Sequence, residues 1–199
     1  MKDAVQQTST RDAILDATDR LLARYGYKKM TIDDLAHEVG IGKGSIYLHF
    51  SSKEEIALSH IDRIIERLKR RLWEIANGPL GVDQRLCDML IERVLFRFDS
   101  VQHYTESLNS LLAHIRSSLL ERRKQYFDDE AKIFASVIED GQKTGQLGAG
   151  DPFDLAQTLL SATNSLLPYS LSSVELGNRK DIGDRIRKTA TILIRGLSK

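Results

Sequence analysis

The side chains best suited to bind another molecule are concentrated near position 45. Within seven residues the chain carries an ammonium, two hydroxyl groups and an imidazole, on Lys43, Ser45, Tyr47 and His49. This mixture of cationic and hydrogen-bonding groups suits the base edges and phosphates of DNA. No paired carboxylates, nucleophile motif or phosphate-binding glycine loop accompanies it, so the segment predicts a DNA-reading surface and no enzymatic activity.

A helical arrangement of this segment would sort its side chains into two faces. At about 100° per residue, Ile46 and Phe50 point towards the rest of the protein. Gly44, Ser45 and Leu48 then point outward. A residue without a Cβ lets the backbone come close to base edges, and an apolar side chain can contact a thymine methyl group. We therefore expect residues 43–50 to act as a recognition helix in the major groove of DNA.

Phosphate contacts are predicted at the edges of this surface. Thr31, Tyr47 and Lys53 lie at helix starts or edges, where hydroxyl, phenol and ammonium groups can bind phosphates beside backbone amides. For His49, phosphate contact is the preferred interpretation and pH sensing the alternative. The complete predicted DNA-binding set is Thr31, Lys43, Gly44, Ser45, Tyr47, Leu48, His49 and Lys53.

The elements that position this surface are all predicted to be helices. After nine polar residues that are expected to fray, Thr10 begins a first helix, which Gly26 ends. Thr31 begins a second helix with acidic residues in its first turn. The turn Gly40-Ile41-Gly42 separates it from the third helix, over about residues 43–49.

A long fourth helix and a second group of helices follow. Ser52 and Glu55 form the pattern of a capping box, and Asn77-Gly-Pro-Leu-Gly81 ends the helix. Further helices are predicted from near Asp83, over residues 100–113, 117–143 and 151–168, and from Asp181. No stretch alternates apolar and polar residues as a half-buried strand does. The predicted fold class is therefore all-α, with an N-terminal helix-turn-helix domain over residues 1–52 and a larger helical domain over residues 53–199.

The motif residues resemble those of one family. Gly40-Ile-Gly-Lys-Gly-Ser-Ile-Tyr-Leu-His-Phe-Ser-Ser-Lys-Glu-Glu55 is similar to the recognition helix and linking-helix start of TetR-family transcriptional regulators. Thr31-Ile-Asp-Asp-Leu-Ala-His-Glu-Val-Gly40 and Arg24-Tyr-Gly-Tyr27 extend the resemblance to about residues 10–56. One departure is Gly42, where family members usually carry Ser or Thr. Glycine can cap a helix but offers no hydroxyl group to a phosphate.

The resemblance implies a mechanism as well as a fold. It implies a homodimer that places two recognition helices in successive major grooves of a palindromic operator. It also implies that a small effector, expected to be largely apolar, releases the DNA on binding the second domain. The predicted function is thus a sequence-specific transcriptional repressor. A helix-turn-helix that serves protein contacts alone is the alternative.

Residues for the ligand and the dimer are predicted in the second domain. Its aromatic side chains could line a ligand pocket, although core packing explains each of them equally well: Phe96, Phe98, Tyr104, Phe127 and Phe134. The last two helices carry apolar stripes with small residues, which permit close helix approach in a dimer or in an intrachain core. The dimer-interface residues predicted from them are Leu159, Leu160, Leu167, Ile186, Leu193 and Ile194.

Composition narrows the remaining possibilities. A formal net charge of +1 gives no general attraction to nucleic acid, so the DNA prediction depends on placed residues. The single cysteine, Cys87, is expected to be a small buried apolar residue, and it excludes an intramolecular disulfide. The histidines lack metal-ligand spacing, so we expect neither a metal nor a cofactor. Without a leader or a run of about 18 apolar residues, a cytoplasmic protein without membrane contact is predicted.

Overall fold

The described part of the chain is built from helices. The computed structural model of the protein describes the backbone of residues 2–171 and 173–198, and the side chains of residues 10–103, 108–171 and 175–198. Within these ranges the only β-type pairing is an isolated antiparallel bridge between Leu147 and Ser198. The predicted all-α fold class is confirmed. None of the helices in these ranges is long and apolar enough to cross a membrane.

Contacts between residues divide the chain into two compact units. The first contains Met1–Arg63 and His103–Leu119, and the second contains Ile64–Gln102 and Leu120–Lys199. Two long helices contribute residues to both units, so the units do not coincide with the domains 1–52 and 53–199. Those functional boundaries stay a prediction.

The first unit begins with α1, Lys2–Lys29, in which Gly26 is non-helical with φ of 70° and ψ of 168°. The helix begins eight residues before the predicted start at Thr10, and the expected frayed segment is helical. No glycine or proline occurs before Gly26, so nothing in the segment ends a helix. Next come α2, Ile32–Val39, and α3, Lys43–His49. The fourth helix, α4, covers Lys53–Ala76.

Both ends of α2 are capped, and the second cap begins the turn before α3. The Thr31 side chain accepts a hydrogen bond from the Asp34 amide, and Asp34 binds the Thr31 amide in return, which completes a capping box. At the other end Gly40 adopts φ of 76°, and its amide binds the Ala36 and His37 carbonyls. The left-handed backbone conformation at this position favours glycine and ends the helix.

Apolar side chains and ion pairs hold the first unit together. Its largest fully buried side chains are Ile14, Leu15, Leu21, Leu22, Met30, Leu35, Ile46 and Ile56. Arg63 of α4 binds the Asp16 carboxylate of α1 at 2.7 Å, and Arg20 of α1 binds Glu38 of α2 at 2.8 Å. These contacts fix α2 and α4 against α1.

The helices that follow α4 are α5, Val82–Val101, α6, Thr105–Lys143, α7, Pro152–Thr163, α8, Ser173–Leu176, and α9, Arg179–Arg195. The prediction of separate helices over residues 100–113 and 117–143 is wrong, because α6 is continuous. Residues 105–140 contain no glycine or proline, and the serines near position 117 do not break a helix. Helix α7 ends at Thr163, before two 3-10 turns, and so is shorter than predicted.

A buried polar network lies inside the second unit. Arg93 of α5 donates to the Glu130 carboxylate of α6 at 2.7 Å, and Arg97 binds the other oxygen of that carboxylate. Arg93 also donates to the Thr163 hydroxyl at 3.0 Å and to the Asn164 side chain at 2.8 Å. The network thus ties α5 to α6 and to the end of α7.

Candidate nucleic-acid interface

Two inward side chains hold α3 in place. Ile46 is 0% exposed and Phe50, which caps the helix, is 3% exposed. The Arg11 guanidinium lies 4.9 Å from the centre of the Phe50 ring. A helix of seven residues has little stability of its own, so these contacts determine its orientation. The inward direction predicted for both side chains is confirmed.

The opposite face of α3 is open to solvent. Leu48 is 85% exposed and Tyr47 is 50% exposed. Lys43 and Gly44 are exposed as well. Ser45 and His49 are only half-buried, so the outward direction predicted for Ser45 holds in part. A Cβ built on Gly44 would meet nothing within 4 Å, so its backbone is accessible to a partner. The exposed apolar Leu48 beside hydroxyl and ammonium groups matches a surface that binds base edges.

Lys43 is paired with a residue that the sequence did not single out as functional. Its ammonium donates to the Asp33 carboxylate at 2.9 Å, and both side chains are exposed. The hydrogen bond and charge of Asp33 raise the pKa of Lys43. Asp33 therefore competes with any phosphate or base that Lys43 would bind. The two residues are ten positions apart, and only the turn at residues 40–42 brings them together.

Thr31 is fixed by the cap of α2. Its hydroxyl donates to the Asp34 carboxylate at 2.7 Å and accepts from the Asp34 amide at 3.1 Å. The hydrogen bonds that the Thr31 hydroxyl and the Thr31 amide donate to the Asp34 carboxylate hold the pKa of Asp34 below its usual value. The hydroxyl proton is thus already engaged. A direct phosphate contact by Thr31 stays a prediction, with the exposed start of α2 next to it.

Lys53 is less free than the sequence suggests. Its ammonium lies 4.4 Å from the centre of the Tyr27 ring and 3.4 Å from the Lys28 carbonyl oxygen, to which it donates. Burial lowers the pKa of this ammonium. Lys28 and Lys29, by contrast, are exposed in the last turn of α1, directly before Met30 and Thr31. These two lysines are candidate phosphate contacts that the motif-based prediction missed.

Gly42 begins α3 without a side-chain cap. It has φ of −71° and ψ of 149°, and no side chain at this position binds the first amides of the helix. The Ser45 amide bonds to the Gly42 carbonyl at 2.9 Å. The helix start therefore relies on its backbone geometry, as expected for the departure at Gly42.

The predicted ligand-binding aromatics do not form one cluster. Phe98 and Phe134 are buried in the core of the second unit, and Phe127 is partly buried against it. Phe96 lines an open groove of about 840 Å³. The side chain of Tyr104 lies outside the described residues. Core packing thus accounts for most of this set, and their ligand contacts stay a prediction.

The predicted dimer-interface residues are mostly inside the chain's own core. This core includes Leu159, Leu160, Leu167, Ile186 and Ile194, with Leu193 partly buried against it. Leu159, Leu160, Leu167, Ile186 and Ile194 are buried within one chain and so offer little surface to a second one. A dimer contact by these residues and by the partly exposed Leu193 stays a prediction. The same helices expose other side chains, among them Ile192 of α9, which is 69% exposed.

The geometry so far gives a helix-turn-helix with one accessible helix face, and sequence comparison identifies it. Residues 14–59 match the sequence profile described as bacterial regulatory proteins, tetR family. Residues 14–59 are a TetR-family helix-turn-helix domain. The predicted extent of the motif, residues 10–56, agrees with this match.

Alignments with individual related proteins extend beyond residues 14–59. The uncharacterized regulator YerO of Bacillus subtilis is 28% identical over 117 residues, which are 59% of this chain and 40% of YerO. This chain therefore matches less than half the length of YerO. The repressor KstR2 of Mycobacterium tuberculosis is 25% identical over 167 residues, 80% of each chain.

The TetR fold extends over the second unit. A crystal structure of a TetR-family regulator from Pectobacterium atrosepticum superposes with a TM-score of 0.75 and 18% identity. The match covers 98% of this chain and 96% of that one.

Among the described residues no three His, Cys, Asp or Glu side chains are grouped to hold a metal ion.

Proposed function

We propose that this protein is a homodimeric transcriptional repressor that binds a palindromic operator through α3 and is released by a small ligand. The observation that carries the proposal is the exposed face of α3, where Tyr47 and Leu48 stand in solvent on a helix anchored from behind by Ile46. The match to regulators, one of them a named repressor, supports repression as the direction of control. Such a protein acts on DNA in the cytoplasm.

The reading of bases is assigned to the centre of α3. Lys43, Gly44, Ser45 and Leu48 would contact base edges, and Tyr47, His49, Lys53 and Thr31 would contact phosphates. A good contact to a base edge discriminates between bases by about 1–3 kcal/mol. Two such helices related by twofold symmetry require half-sites about one helical turn of DNA apart.

The dimer is proposed to form through the exposed faces of α7 and α9. Ser161 and Ala162 of α7 are exposed and small, which permits close approach of a second helix. Ile192 supplies an exposed apolar side chain on α9. An isologous contact between these faces gives the twofold axis that a palindromic operator demands.

Ligand control is proposed to act through two continuous helices. α4 and α6 each contribute residues to both units, without interruption of the helix. In the first unit, Ser118 of α6 donates to Glu54 of α4 at 2.7 Å, and the His114 ring lies 5.3 Å from that of Tyr27. A ligand that shifts either helix in the second unit would change these contacts and the placement of the helix-turn-helix. Release requires that the ligand binds the DNA-free form more tightly.

Selection of bound duplexes from a random DNA pool tests the proposal. The full chain should enrich an inverted repeat, and a Lys43→Ala, Tyr47→Ala variant should lose the enrichment. Lys124→Ala, Tyr169→Ala is the matched control, because it removes the same two residue types from exposed positions in the second unit. Loss in both variants, or no enrichment by folded wild-type dimer, would contradict operator binding through α3.

A further inference from the structure

An open groove in the second unit is lined by charged side chains. It has a volume of about 840 Å³, within the range of sites for small organic ligands. Its walls come from the later part of α4, from α5 and from the first residue of α9. The lining residues are Arg67, Arg70, Arg71, Glu74, Glu92, Phe96, Asp99, Ser100 and Arg179.

The charges of the groove do not cancel. Arg179 forms two hydrogen bonds with Asp99, at 2.8 and 3.0 Å, and Arg71 lies 3.3 Å from Glu92. Within each of these two pairs, the positive and the negative charge cancel. Two further guanidinium groups, of the exposed Arg67 and Arg70, line the groove together with a single remaining carboxylate, that of Glu74. In the described part of the chain neither of these arginines forms an ion pair, and the groove has an excess positive charge.

The groove also offers an apolar surface. Phe96 is half-buried, and the Arg71 guanidinium lies 5.6 Å from the centre of its ring. The Ser100 hydroxyl donates to the Phe96 carbonyl at 2.7 Å, so its lone pairs remain to accept a hydrogen bond. An aromatic ring, fixed arginine pairs and two arginines without ion pairs suit a ligand with an apolar body and an anionic group.

We infer that this groove binds a small organic oxyanion, a carboxylate or a phosphate carried on an aromatic or acyl body. The oxyanion is held by Arg67 and Arg70, whose planar guanidinium groups can each donate two parallel hydrogen bonds to it. The apolar body lies against Phe96. The role of this ligand as the effector rests on the proposed function, whereas its binding to the groove does not.

The experiment titrates the full-length protein, without DNA, with three probes of similar size. Phenyl phosphate and benzoate carry the two kinds of oxyanion, and benzyl alcohol is uncharged. Calorimetry measures binding, and fluorescence of Trp73, the single tryptophan, follows α4 next to the groove. At about 50 mM salt, screening is weak enough for a specific site to be seen.

The key variant is Arg67→Gln, Arg70→Gln. The matched control is Arg116→Gln, Arg123→Gln, which removes two positive charges from exposed positions outside the groove. We expect at least one anionic probe to bind about tenfold or more tightly than benzyl alcohol, and the key variant to lose about tenfold in affinity while the control retains it. Tighter binding of phenyl phosphate would identify a phosphate ligand, and tighter binding of benzoate a carboxylate.

Three outcomes would overturn the inference. They are the absence of saturable binding of either anion, equal binding of benzyl alcohol, and an equal loss of affinity in the control variant. A final titration adds the tighter anion to the protein bound to its selected operator. Binding to the groove without release of DNA would count against an effector role alone, so the two proposals fail separately.

Discussion

Removal of the buried carboxylate of Glu130 should destabilise the second unit strongly. Glu130 is 1% exposed and is shared by Arg93, which is also 1% exposed, and by Arg97. Glu130→Gln keeps the size and one hydrogen-bond acceptor of the side chain but removes its charge. Two buried guanidinium groups would then face each other without a counter-charge. Breaking a buried pair in this way costs about 3–5 kcal/mol.

That cost is large compared with the whole stability of the fold. For a chain of this length 1 kcal/mol shifts the midpoint of thermal unfolding by about 2–4 °C, so a fall of about 6–20 °C is expected. Urea denaturation at one fixed protein concentration measures the change, because the proposed dimer would unfold in a concentration-dependent way. A loss below about 1 kcal/mol would refute the reasoning and show that water or a relaxed structure compensates the arginines.

The pH dependence gives an independent check. Burial alone would raise the pKa of Glu130, but the charges and hydrogen bonds of Arg97 and Arg93 outweigh it and hold the pKa below its usual value. A carboxyl whose folded pKa is depressed contributes stability above its unfolded pKa and loses it as the pH falls through the folded pKa. The wild-type advantage over Glu130→Gln should therefore be complete at pH 7 and shrink in acid. An advantage that grows in acid would contradict this assignment.

Three further substitutions and one alkylation experiment have definite expected results. Asp33→Asn should tighten DNA binding about threefold to tenfold by releasing Lys43 and removing a negative charge, as fluorescence anisotropy with the selected operator would show; weaker binding would mean that Asp33 itself contacts a base. Gly40→Ala should cost about 1–2 kcal/mol in urea denaturation because of the left-handed backbone there, and an unchanged midpoint would contradict this. Phe134→Ala should cost about 3–5 kcal/mol by leaving a cavity in the core, whereas a loss below about 1 kcal/mol would place the ring elsewhere. Cys87 is half-buried against the core, not fully buried as the sequence predicts. Burial, with a smaller effect of Asp88, raises the pKa of its thiol, so alkylation of the folded protein at pH 7 should be slower than that of a free cysteine in a peptide. Equal rates would show that the thiol is freely accessible.

The helix-turn-helix was predictable because its signals are local. Thr31 and Asp34 cap a helix, Gly40 ends it, and Ile46 and Phe50 are spaced to point inward from α3. Each of these rules acts within a few residues. The sequence therefore predicted the bounds of α3 and the exposure of Gly44 and Leu48 closely, whereas Ser45 and His49 are half-buried.

Features that depend on distant residues were beyond this reasoning. The apolar stripes of α7 and α9 indicate burial but not the identity of the partner, so the sequence did not distinguish an intrachain core from a dimer contact. Arg179 joins Arg67, Arg70 and Arg71 only because the chain folds back on itself. The serines near position 117 suggested a break, although nothing there opposes a continuous helix.

The exposure of Leu48 has a consequence for the temperature dependence of operator binding. Leu48 is 85% exposed to water in the free protein, and in the proposed complex a thymine methyl group would cover it. Its burial, together with part of the Tyr47 ring, adds a negative heat-capacity change to an association otherwise governed by phosphate charges. The enthalpy of binding should therefore become more favourable on warming, and the slope against temperature should flatten when Leu48 is replaced by serine.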